Sequence, residues 1–109
     1  MKILWATDIH LNFINSAKFN NFCNKLTDLK PDMILIGGDI AESGSLIEIL
    51  LALEAKIQCP IYFVLGNHDY YHGSISDVRE HVKKISSDSP YLQYLSDAGI
   101  VKLTSDTCL

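Results

Sequence analysis

The chain has no cluster of lysine and arginine, no paired-cysteine motif, no long apolar run and no phosphate-binding glycine loop. Each absence removes a class of function. Net charge is −4, from nine Lys and Arg against thirteen Asp and Glu. Long nucleic acid is therefore not expected as an electrostatically held partner, although a phosphate substrate held through metal ions is not excluded. Cys23, Cys59 and Cys108 are odd in number and widely spaced, with no CxxC or Cys/His zinc spacing. Reduced thiols and a cytoplasmic setting are the expectation. The apolar N-terminal residues reach Asp8 too soon for a signal-peptide core or a membrane span, so no membrane association is expected. No GxxxxGK[ST] string is present, which leaves P-loop nucleotide binding unsupported.

What is present is a globular composition. Hydrophobic residues make up 48% and charged residues 20%, which separates the chain from disordered sequences. At 109 residues it suits a single domain, 1–109, able to bury roughly two-thirds of its unfolded surface.

Periodicity predicts alternating elements. Residues 2–7, 33–37 and 61–65 are short apolar runs and read as strands. Phe19, Phe22, Cys23, Leu26 and Leu29 recur at helical spacing after a cap at Asn15 or Ser16, and Pro31 ends that helix. Ser45 is a candidate cap for a helix running to Ile57, apolar almost all round. Ser74 or Ser76 starts another, with Ile75, Val78, Val82 and Ile85 on one face. After Pro90 the pattern changes to short strand-like runs at 92–95, 100–103 and 107–109. Nearly all-apolar strands alternating with helices imply an α/β fold with a mainly parallel sheet covered on both faces. A short antiparallel or mixed region would follow it.

Three strings stand just past the first three strands: Asp8-Ile9-His10, Gly38-Asp39-Ile40-Ala41-Glu42 and Gly66-Asn67-His68-Asp69. In such sheets ligands gather beyond the carboxyl ends of the strands. In extended chain, residues i and i+2 project the same way about 6.6 Å apart, so Asp8 and His10 could reach one ion. A carboxylate with an imidazole suits zinc, manganese or iron. Asp39, after two glycines, could bridge two ions or simply cap a helix. Glu42 reads as a helix-start residue or one supporting a ligand. Asn67 is either a neutral oxygen ligand or a turn residue. As a ligand it would leave a two-ion site with surplus positive charge, which favours an anionic phosphate. His68 is placed to be a general acid, with Asp69 to orient or polarise its ring. Tyr70, Tyr71 and His72 could line a substrate pocket or pack as ordinary loop. His81 reads as a structural or exposed helix residue.

DIH, GDIAE and GNHD in this order after successive strands resemble the calcineurin-like metallophosphoesterases. The resemblance is strong over residues 1–69 and looser beyond. It implies that Asp8, His10 and Asp39 hold a first divalent ion and that Asp39 bridges to a second, which Asn67 also binds. The ions would be manganese, iron or zinc, and His68 would assist at the phosphate. The implied activity is phosphoester hydrolysis by in-line attack of a metal-bridging hydroxide. The family pattern continues with a lone His and a GHxH string, and neither is present. The chain is therefore expected to be the N-terminal portion of a metallophosphoesterase domain, inactive alone and inclined to self-associate through an exposed edge. A haloacid-dehalogenase reading would need a second Asp where His10 stands. The alternative reading is a non-catalytic fragment or protein-interaction module that keeps the fold.

Overall fold

Alternating strands and helices build the computed structural model, which describes residues 1–98. Strands β1 (Ile3–Ala6), β2 (Met33–Ile36), β3 (Ile61–Phe63) and β4 (Leu92–Tyr94) form one sheet in sequence order, every neighbouring pair parallel. A parallel neighbour cannot be reached by a tight hairpin, so each connection contains a helix. These are α1 (Ser16–Asp28), α2 (Leu46–Ile57) and α3 (Ile75–Asp88), and a short α4 (Leu95–Ala98) follows β4.

Local chemistry sets the helix ends. The Asn15 side chain accepts from the Lys18 N–H at 2.9 Å and caps α1. Ser74 Oγ accepts from the Asp77 N–H at 3.1 Å and caps α3. Such caps contribute about 1 kcal/mol each. Ser45 precedes α2 as expected, but its hydroxyl donates to the Glu42 carbonyl at 3.4 Å instead of capping.

Strand order decides which face is covered. Right-handed crossovers that all step the same way put their helices on one side of the sheet. Here α1 packs on α2, and α2 on α3. Registered residues Leu4, Ile34, Ile61 and Leu92, then Ala6, Ile36, Phe63 and Tyr94, form two rows. Apart from Leu4 and Ala6 on the edge strand, these rows are fully buried and join Leu46, Leu50, Leu53, Val78 and Val82 in the core. Alternate residues point to the opposite face. There Trp5 is 76% exposed and Ile3 38%. The expected cover on both faces is thus found on one face only among the described residues.

The first of the runs after Pro90 forms β4, which pairs parallel with β3 and extends the alternation rather than breaking it. Helix α3 carries the chain back to the start of the sheet, which is what a parallel fourth strand requires. The runs at 100–103 and 107–109 lie outside the described residues.

Candidate metal centre

The loops beyond β1 and β2 continue side by side past the sheet. The Asp8 N–H donates to the Gly38 carbonyl at 3.1 Å, His10 to Asp39 at 3.1 Å, and Leu11 to Ile40 at 2.7 Å. The β3 loop closes on the same rim, where the His68 N–H donates to Asp39 Oδ1 at 3.0 Å. Two glycines allow this closeness. Gly38 has φ +108°, and a Cβ on it would lie 2.9 Å from the Gly66 nitrogen. A Cβ on Gly66 would run into the Asp39 carboxylate.

Backbone strain concentrates here. Asp8, His10 and Asp39 have φ of 53°, 43° and 51°, and His72 has 68°. Left-handed backbone in non-glycine residues costs about 1–3 kcal/mol each, less for Asp, Asn and His than for bulkier side chains. The Asp8–His10 segment is therefore curled, not extended as the spacing argument assumed. In that curl His10 is half-buried and Asp8 is exposed, its carboxylate accepting from Thr7 Oγ at 2.9 Å.

His10, Asp39 and His68 come together as possible metal donors, with donor atoms all within 4.8 Å of one another. The two imidazoles meet edge to face at 4.9 Å. Nδ1 of His10 is buried with no hydrogen-bond partner, which suits a group waiting for a ligand rather than a packed core histidine. Nδ1 of His68 lies 3.1 Å from Asp39 Oδ2. Burial pushes the Asp39 carboxyl upward. Hydrogen bonds from the His68 backbone and ring, with the neighbouring Asp8 side chain, outweigh this and hold it below its ordinary value. An ionised carboxylate only accepts, so His68 donates to it through the Nδ1–H. Asp39 retains lone pairs for an ion even with both oxygens bonded to His68.

Not every expected residue converges. Asp8 neighbours Asp39 and contributes to its lowered pKa, but it is not among the three converging donors. Asn67 is exposed at the rim and starts the short 3-10 turn His68–Tyr70. Glu42 sits at the turn before α2, its carboxylate 3.7 Å from His72 Nε2. His81 is exposed on α3. Asp69 does not orient His68, and that expectation is corrected. Its carboxylate is fully buried and accepts the N–H groups of Ile40, Ala41 and Gly66, each at 2.9 Å. It staples the β3 loop to the β2 loop. Burial raises its pKa despite these bonds. The ring of His68 is oriented by Asp39 instead. Sequence reasoning missed this exchange because two adjacent side chains on a 3-10 turn point different ways, and only the turn decides which faces inward.

The family model for calcineurin-like phosphoesterases matches residues 1–107. The chain belongs to this family. It is 32% identical over 81 residues to a bovine (Bos taurus) transmembrane protein with metallophosphoesterase domain, covering 71% of this chain and 18% of that protein. An uncharacterized metallophosphoesterase of Helicobacter pylori (strain J99) is 34% identical over 77 residues, 67% of this chain and 21% of the relative. One from Campylobacter jejuni is 29% identical over 110 residues, 94% of this chain and 28% of the relative. The chain thus spans between 18% and 28% of the length of these relatives. No significant match to a solved structure was found. No helix among the described residues is long and apolar enough to cross a membrane.

Proposed function

We propose that this chain is the metal-binding part of a phosphoester hydrolase with a two-ion centre. The observation that carries the reading is the convergence of His10, Asp39 and His68 on one rim, with Asp39 held ionised by His68. In this reading Asp8, His10 and Asp39 hold the first divalent ion, and Asp39 with Asn67 the second. Manganese, iron or zinc suits these donors. Bound ions would activate the attacking water and offset the charge on the phosphate. The chain's own contribution is proton handling. Asp39 accepts from the His68 Nδ1–H. With the ring doubly protonated, the second N–H, on Nε2, would pass its proton to the leaving oxygen and leave a neutral imidazole.

Two donors are few for the second ion, so we expect the isolated 109-residue chain to bind one ion weakly and turn over little substrate. The free Cys23 and Cys59 support a reducing, cytoplasmic setting. The testing experiment is manganese calorimetry and hydrolysis of an aryl phosphate on the chain and on its Asp39→Ala and His68→Ala variants. Asp39→Ala should abolish metal binding. His68→Ala should slow turnover with metal content nearly intact. Loss of metal on His68→Ala would make that residue a ligand rather than an acid. Two tight binding events per chain would contradict the donor count.

One observation favours a second reading. The open apolar sheet face around Trp5 suits a protein-interaction module that keeps the fold without the chemistry. Absence of any metal binding would favour it.

A further inference from the structure

Three residues past His68, Tyr71 sits unusually for a loop tyrosine. It is 47% exposed, yet its backbone is pinned. Its N–H donates to the His68 carbonyl at 3.1 Å, and its own carbonyl accepts from the Ser43 N–H at 3.2 Å and from Ser43 Oγ at 2.6 Å. Gly73 closes the clamp from the other side, where a Cβ would lie 2.8 Å from Ser43 Oγ. The backbone that carries the ring is therefore anchored, and the ring centroid lies 4.5 Å from that of His68. The adjacent Tyr70 is committed elsewhere, since its hydroxyl accepts from Arg79 Nε on α3 at 3.3 Å.

Position and chemistry combine. A proton leaving His68 goes to the leaving-group oxygen, so whatever that oxygen carries lies beside the Tyr71 ring. A half-exposed aromatic ring on an anchored backbone there gains most from a second flat ring, in offset or edge-to-face contact. We propose that Tyr71 is a specificity-determining wall, selecting phosphoesters whose leaving group is a flat aromatic or heteroaromatic ring. The proposal rests on the hydrolase reading above.

The test uses the zinc-supplemented chain, titrated by NMR with phenylphosphonate, methylphosphonate and inorganic phosphate, none of which turns over. Phenylphosphonate should bind roughly three- to tenfold tighter than methylphosphonate, the range expected of one aromatic pair. Tyr71→Phe should keep that ratio, because the ring and not the hydroxyl makes the contact. Tyr71→Ala should bring the ratio close to one while inorganic phosphate binds as before. Should Tyr71→Ala disturb the amide spectrum, Tyr71→Leu carries the same test with bulk retained and the aromatic face removed. An undiminished ratio in the folded variant overturns the proposal. Phosphate binding with no aryl preference in the unsubstituted chain overturns it alone. Absence of any phosphate or phosphonate binding overturns the hydrolase reading and this inference with it.

Discussion

Replacing Asp69 by alanine should destabilise the chain without touching the His68 ring. The carboxylate has no exposure and accepts three backbone N–H groups at 2.9 Å, from Ile40, Ala41 and Gly66. A net contribution of about 1 kcal/mol per bond gives about 3 kcal/mol for Asp69→Ala. The donors left behind raise this cost. Recovery of the carboxylate's own burial penalty, which is what lifts its pKa, lowers it. Asp69→Asn should cost less, about 1 kcal/mol, because one oxygen still accepts from Ile40 and Ala41. Its NH2 would then face the Gly66 N–H, donor against donor. Urea denaturation measures both. With a slope of about 2 kcal/mol per molar, Asp69→Ala should lower the midpoint by about 1.5 M. Faster exchange of the Ile40, Ala41 and Gly66 amides should accompany it. An Asp69→Ala midpoint unchanged within error, or identical midpoints for the two variants, would refute the staple. The pH dependence follows the same residue. A raised folded-state pKa means that the neutral carboxyl favours the fold. That contribution is full below the unfolded value of about 3.9 and is lost as pH rises through the folded value. Asp69→Asn should remove this dependence.

His10→Gly should leave the metal-free chain within about 1 kcal/mol of its original stability, because it relieves a left-handed backbone and removes an unpartnered buried nitrogen. Thermal melts with and without manganese should show the metal-induced stabilisation lost in the same variant. Trp5, the one tryptophan, should emit as a water-exposed indole and be readily quenched by acrylamide. Among the described residues β1 is an edge strand with Trp5 exposed on its uncovered face, so the chain should self-associate on size exclusion at rising concentration. Trp5→Gln should weaken that association with little change in stability, and a concentration-independent monomer would contradict it.

Much of this was legible in the chain itself. Short apolar runs separated by helical periodicity, with Asn15 and Ser74 as caps and Pro31 as a stop, announce a parallel α/β order because local sterics and capping act within a few residues. The three acidic and histidine strings after the strands announce a rim site, since a parallel sheet brings all its carboxyl ends to one edge. What needed the tertiary structure was direction. The sequential strand order decided that α1, α2 and α3 lie on one face and that Trp5 is exposed among the described residues, and no local pattern encodes the order of strands. The left-handed turns at Asp8, His10 and Asp39 decided that His10 is half-buried and Asp8 exposed. Contacts between loops far apart in sequence decided that Asp39 orients His68, that Asp69 serves the backbone, and that Ser43 holds Tyr71 against the site. Hydrogen bonds across about 30 positions leave no periodic trace, because each depends on where the sheet has already carried the two loops.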